Sequence, residues 1–253
     1  MENPLAAIKG GVVLAELGGH GNGPYCARHG KGAAMVVMGT YVVDAGPSVP
    51  YPADFVFGPD PDAYADYLTE HVTAARESGA KVAVSVISVE LADSIAFLQA
   101  AETAGADCAS LCAYSAMSMF TSVGLGMALC RPDNRDRLSQ WSGALSGSLS
   151  IPVIIKMGMG RPADTIGAVE TMADHGIAGV HVAFGDASGT QGLSDVQGLA
   201  KACPFLIAGG GIVDVAGARR LLDAGADAVA IAGAAMQDPD LCGRIQAELM
   251  GKP

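Results

Sequence analysis

One phrase recurs along this chain and narrows the folds open to it. A helical stretch ends at Gly beside a small residue, and a run rich in β-branched residues follows at once. It appears as ESGAKVAVSVIS around Gly79, TAGADCASLCA around Gly105, DHGIAGVHVAF around Gly176 and DAGADAVAIAG around Gly225. Glycine just past a helix accepts the left-handed conformation that closes it, and the chain then turns into a buried strand. Units of this kind give parallel strands joined by right-handed crossovers. Filling the intervals gives eight expected strands at 12–17, 33–38, 81–88, 107–113, 152–156, 179–184, 205–208 and 228–232. The clearest helices fall at 60–78, 89–104, 164–175, 214–224 and 239–250, several opening with the Asp or Pro that suits a helix start. Eight such units in 253 residues predict a closed (β/α)8 TIM barrel, a single domain over 1–253. A doubly wound open sheet would want a G-x-G-x-x-G turn after its first strand, and none is there. The stretch 39–59, with Pro47, Pro50, Pro52 and Pro59, reads as a long irregular loop lying as a lid over the catalytic face.

Composition agrees with a covered parallel sheet. Half the residues are hydrophobic but only 5% are aromatic, so the core must be Ala, Val, Ile, Leu and Met packed around 34 glycines. A net charge of −11 repels a nucleic-acid backbone. The densest cationic stretch, 131–137, is interrupted by Asp133 and Asp136, so no nucleic-acid partner is expected. The longest apolar runs, 33–39 and 226–235, are strand-sized, and no leader pattern opens the chain. The expected setting is the cytoplasm, with no membrane partner. The six cysteines form no C-x-x-C pair and read as buried free thiols. Cys108 and Cys112 share a strand face but lie about 13 Å apart along it, too far for one ion, so no metal site is expected.

In a barrel of this kind the chemistry sits at the C-terminal ends of the strands. The seventh expected strand runs into Gly209, Gly210 and Gly211, and Asp214 starts the next helix; the eighth ends in Ala232 and Gly233. Bare backbone N–H groups beside a helix start make an anion platform, so these loops are expected to hold a phosphate. Lys156 ends the fifth strand and is expected to point into the barrel mouth. His181, with Gly179 and Ala183 as same-face neighbours, should face the interior. Glu16 ends the first strand among apolar residues, where a carboxylate needs exposure at the mouth or a partner, and Lys156 could serve. Glu16 and His20 are the evident acid/base candidates.

Beyond these features, LAELGGHGNGPYC resembles the opening signature of the dihydrouridine synthases, with Leu17, Gly18, Gly19, Asn22, Pro24 and Tyr25 at the matching positions. The segments GADCASLCAYSA, GLGMALCRPD, PVIIKMGMG, VHVAF and GGGI…AIAGAA continue the resemblance in order over roughly 220 residues. Those enzymes, like the dihydroorotate dehydrogenases, are FMN-dependent barrels, and the archaeal-type proteins related to dihydrouridine synthases have the closest flavour. The resemblance implies FMN held by Lys156, His181, Gly209, Gly210, Gly211, Ala232 and Gly233. There are departures. Ser115 stands where the family has its catalytic cysteine, Ala116 at its proline, Cys112 at its flavin-contacting Asn, Ser85 at the Gln ending its third strand, and Gly233 at its phosphate-motif Arg. The 20 residues after Gly233 leave no room for a tRNA-binding domain, so tRNA is not the expected substrate.

The expected function is therefore FMN-dependent oxidation or reduction of a small heterocyclic metabolite, phosphorylated or not. The archaeal-type relatives suggest a setting in cofactor biosynthesis. Ser115, Glu16 and His20 are the candidate proton donors. The alternatives are a flavin-free lyase, isomerase or synthase acting on a phosphorylated substrate through Glu16 and Lys156, or a non-catalytic binding subunit. A mean hydropathy of +0.34 suggests a homo-oligomer.

Overall fold

The computed structural model describes residues 3–44, 49–185 and 190–251. Eight parallel strands close on themselves: β1 (Val12–Leu14), β2 (Met35–Val43), β4 (Lys81–Ser88), β5 (Cys108–Ala113), β6 (Val153–Gly158), β7 (Gly179–Ala183), β8 (Leu206–Gly209) and β9 (Ala228–Ile231). A two-residue strand, β3 (Val56–Phe57), lies outside the ring and extends the far end of β2. Helices cover the outer face: α2 (Ala65–Arg76), α3 (Leu91–Thr103), α5 (Arg135–Ser148), α6 (Pro162–Asp174), α7 (Thr190–Leu199), α8 (Val215–Asp223) and α10 (Leu241–Leu249). The shorter α1 (Gly23–His29), α4 (Ser118–Thr121) and α9 (Gly233–Gln237) sit in the connections. This is the single-domain TIM barrel that the repeated helix–Gly–strand phrase predicts.

The period of two along each strand sorts the core into two regions. Outward residues such as Val12, Leu14, Val82, Val84, Val180 and Val182 pack beneath the helices. Inward residues Val13, Met35, Val37, Ala83, Cys108, Ile154, Ile207 and Ala228 fill the lower barrel, and Leu5 and Ile8 close its floor. One layer higher the inward positions become polar or very small: Ser85, Cys112, Lys156, His181 and Gly209. The barrel is thus packed below and open above.

The seam is made by β1, which pairs with β2 on one side and with β9 on the other through Val12–Val229, Val13–Ala230 and Leu14–Ile231. Gln246 of α10 accepts the Val12 N–H at 2.7 Å, binding the last helix to the first strand.

Seven of the expected strands fall within a few residues of their predicted places, but the second does not end at Met38. It slips register between Met38 and Tyr41 and runs on to Val43. Gly39 makes the slip possible: its φ is +99° and a Cβ there would lie 2.5 Å from the Ser85 carbonyl. The stretch 39–59 is therefore not one loop. Its start is strand, its end is β3, and Tyr41, Phe55 and Phe57 join Tyr64, Tyr67 and Phe97 in a contiguous aromatic cluster. Pro47 lies outside the described residues, whereas Tyr51 packs back over the barrel mouth. The expected helix 60–78 also divides, with a single 3-10 turn capped by Asp60 preceding α2. All six cysteines are free, five of them buried and Cys203 half-buried. No helix among the described residues is long and apolar enough to cross a membrane.

Candidate functional site

A cavity of about 660 Å³ opens at the C-terminal ends of the strands, within the size range of small-molecule sites. Glu16, Lys156, His181, Ser115, the Gly209–Gly210–Gly211 turn, Ala232 and Gly233 all line it. His20 does not; it is exposed on the turn after β1 and is the one sequence-nominated residue away from the cavity.

The floor of the cavity is a charged cluster. Glu16 follows β1 and is only 4% exposed, and Lys156, inward on β6, is 7% exposed. Lys156 Nζ lies 3.2 Å from Glu16 Oε2. The two are 140 positions apart in sequence and meet because β1 and β6 face each other across the barrel. Lys156 lies within the strand rather than at its end, since β6 continues to Gly158. Lys156 thus holds the carboxylate both by its charge and by a side-chain hydrogen bond. The other oxygen, Oε1, accepts from the Ser85 hydroxyl at 3.4 Å, and Ser85 Oγ lies 3.2 Å from Thr40 Oγ1. Burial alone would push the Glu16 carboxyl up, but the Lys156 charge and hydrogen bond and its own backbone amide outweigh it and hold it below the usual carboxylate range. Glu16 is an anion at neutral pH.

His181 sits beside Lys156 in register on β7, and its Nδ1 is 3.7 Å from Glu16 Oε2. Burial and the nearby Lys156 charge push the imidazole down to about 3, against the smaller pull of Glu16. It is therefore neutral at physiological pH, and the 3.7 Å approach is a contact between an uncharged ring and a carboxylate. Gly209 leaves room for it: a Cβ there would come 3.2 Å from His181 Nε2. Cys112 stands opposite Lys156 on β5; burial and the Glu16 charge raise its thiol above the ordinary range, so it is a neutral wall of the cavity.

The glycine turn after β8 forms the opposite wall. Gly210 has φ +139°, and a Cβ there would lie 2.1 Å from the Phe184 carbonyl. Gly211 has φ +68°. Among the described residues, neither of their N–H groups meets an acceptor. The start of α8 is less available than the sequence implies, because Asp214 caps it by accepting from the Gly217 N–H at 2.7 Å. At Gly233, on the same rim, a Cβ would meet open space.

The rim holds Ser115, half-buried, whose Oγ accepts from the Met117 N–H at 3.3 Å. Among the described residues no hydrogen-bonded base accompanies its hydroxyl. Tyr114 is exposed, with Lys156 Nζ 5.6 Å from its ring centroid. Tyr51 was not legible as a site residue. Its ring lies on Gly18 and Gly19, and a Cβ at Gly18 would fall 2.4 Å from its hydroxyl. Thr40 and Ser85 were likewise missed as partners of Glu16; a Thr and a Ser inside otherwise apolar strands were the available signal. Asn22, Pro24 and Tyr25 of the opening signature have a local explanation. Asn22 caps α1 by accepting from the Tyr25 N–H at 3.1 Å, and Pro24 stands in the first turn. Among the described residues no three His, Cys, Asp or Glu side chains gather closely enough to hold a metal ion.

Neither a protein-family model nor a curated protein matches the sequence. Solved structures do match the fold. A DHODH from Eimeria tenella in complex with ferulenol superposes with a TM-score of 0.71 at 17% identity, over 95% of this chain and 80% of that one. The 4-hydroxy-tetrahydrodipicolinate synthase from Methylacidiphilum fumariolicum SolV gives 0.59 at 17%, over 96% and 74%. A chloride-inhibited dihydrodipicolinate synthase from Acinetobacter baumannii complexed with pyruvate gives 0.58 at 17%, over 97% and 77%. At these identities the likeness is one of fold: the chain has the TIM-barrel architecture that a dehydrogenase and two synthases also have.

Proposed function

We propose that the barrel is an FMN-dependent oxidoreductase for a small heterocyclic metabolite, phosphorylated or not, and not for tRNA. The observation that carries this reading is the layout of a single cavity, with adjacent inward Lys156 and His181 on its floor and the bare glycine turn on its wall. A ligand with a planar ring and a phosphorylated tail matches that layout. FMN would supply hydride transfer when bound. Lys156 would set a positive charge against the electron-rich ring, and neutral His181 would offer a hydrogen bond without adding charge. Gly209, Gly210, Gly211, Ala232 and Gly233 would hold the phosphate through backbone N–H groups. Tyr51 and Tyr114 would exclude water from the mouth. For proton transfer to substrate, Ser115 and the Tyr51 hydroxyl are the candidates that face the cavity. Glu16 is held as an anion, which suits a binding group better than an acid.

One observation favours a second reading. A carboxylate 3.2 Å from a buried lysine is also the equipment of a flavin-free lyase or synthase acting on a phosphorylated substrate. Against it, a nucleophilic lysine is activated by dry or cationic surroundings, and Glu16 supplies the opposite field.

The deciding experiment is a visible absorption spectrum of the freshly purified protein, followed by FMN titration of wild type and Lys156→Ala. Flavin bands, or tight FMN binding lost in the variant, support the oxidoreductase. A colourless protein that does not bind FMN overturns it and leaves the phosphorylated-substrate reading.

A further inference from the structure

The charged side chains that line the cavity lie on its floor and match each other. Among the described lining residues the cation is Lys156 and the anion is Glu16, 3.2 Å apart, and His181 beside them is neutral. The stretches 45–48 and 186–189 contain no lysine or arginine either. The amides of the glycine turn can meet one anionic group, and the flavin reading gives that place to the FMN phosphate. A second anion in the cavity would find no cation of its own, and burying an unpaired charge is costly. The net charge of −11 repels such a ligand before it arrives.

The mouth is built differently. Tyr114, after β5, is 43% exposed and Val213, beyond the glycine turn, is 63% exposed, and both line the cavity. Gly158 makes the place for the Tyr114 ring: a Cβ there would lie 2.9 Å from Cε2 and 3.1 Å from Cδ2. A ring held along one edge by bare backbone, with much of its surface open, offers itself for stacking. Tyr51 lies over Gly18 and Gly19 on the same rim, and burial pushes its hydroxyl up, so it is uncharged. Its hydroxyl and that of Ser115 give the mouth hydrogen-bonding groups without charge.

We propose that the substrate is an uncharged planar ring that stacks on Tyr114 in the mouth, and that a carboxylate or phosphate on that ring is selected against. This rests on the flavin reading, which assigns the floor and the glycine turn to FMN, and it narrows the substrate to neutral heterocycles. Tyr114 is then the residue that determines specificity for the ring, with Val213 beside the entrance.

The test titrates FMN-loaded protein at neutral pH with nicotinamide and with nicotinate, the same ring uncharged and anionic, following the flavin absorption bands. Wild type should bind nicotinamide and bind nicotinate about 10-fold more weakly or worse. Tyr114→Ala should weaken nicotinamide about 3- to 10-fold, the worth of one aromatic contact, and Tyr114→Phe should match wild type. Val213→Arg, which supplies a cation at the rim, should narrow the gap between the two probes. Nicotinate bound as well as nicotinamide by wild type overturns the inference, as does nicotinamide binding unchanged in Tyr114→Ala. Binding of neither probe by FMN-loaded protein also overturns it and leaves the flavin reading standing. Failure of the protein to take up FMN overturns both.

Discussion

His181 should make the barrel lose stability in mild acid, well before the carboxylates titrate. An unfolded chain binds a proton at this histidine near the ordinary value of 6.5, whereas the folded chain resists it down to about 3. The contribution is therefore fully present above pH 6.5 and is lost as the pH falls toward 3. Between pH 7 and pH 5 the linkage amounts to about 2 kcal/mol, reckoned from 1.36 kcal/mol per unit of difference. Glu16 plays no part in that window, because its depressed carboxyl loses its contribution only below the ordinary carboxylate range. The perturbation is His181→Asn, with urea unfolding midpoints measured at pH 7, 6 and 5 for both proteins. For a slope of about 3 kcal/mol per molar, the wild-type midpoint should fall about 0.6 M further than the variant's over this range. The comparison cancels the other four histidines, including His71, which burial also lowers. Parallel midpoints would refute the reasoning. They would mean that His181 is protonated in the folded state and that its 3.7 Å contact with Glu16 is an ion pair.

Four further outcomes are expected. Lys156→Met strands a buried carboxylate and should cost about 3–5 kcal/mol in chemical denaturation, whereas the double variant Glu16→Gln/Lys156→Met should recover most of it; a double variant no better than the single one would deny the pairing. Gly210→Ala places a Cβ 2.1 Å from the Phe184 carbonyl at φ +139°, so it should lower the melting temperature and weaken FMN binding. Gly233→Ala, with open space around it, should melt within a few degrees of wild type. Thiol titration should find six reactive groups after denaturation and at most the half-buried Cys203 reacting quickly in the native protein.

The fold was legible because a helix-closing glycine before an apolar strand is a local feature. Gly79, Gly105, Gly176 and Gly225 each show positive φ in the structure, as that phrase requires. The second strand was misread because Gly39 looks like a strand end. It is an irregularity within the strand, and only its neighbour across the ladder, Ser85, explains why no side chain fits there. The site was legible where strand parity decides it, as for Lys156 and His181, and where glycines cluster at a strand end. Tyr51 was not, since nothing in a proline-rich segment says that its ring will settle on Gly18. His20 was nominated with Glu16 as an acid/base candidate, but past the turn at Gly19, φ +79°, it is exposed and away from the cavity.

The seam between β1 and β9 has a consequence for how the chain is made. β1 is synthesised early and finds β2 at once, but its other edge stays unpaired until β9 has emerged, more than 200 residues later. Until then the nascent barrel is an open, curved sheet with a free edge, the kind of surface that invites wrong partners. Contacts so distant in sequence close slowly, because the loop entropy must be overcome before the pairing repays it. Completion waits on α10, whose Gln246 occupies the Val12 amide. A ribosome-stalled chain ending before β9 should therefore remain sensitive to protease around β1 and become resistant only once the last helix can dock.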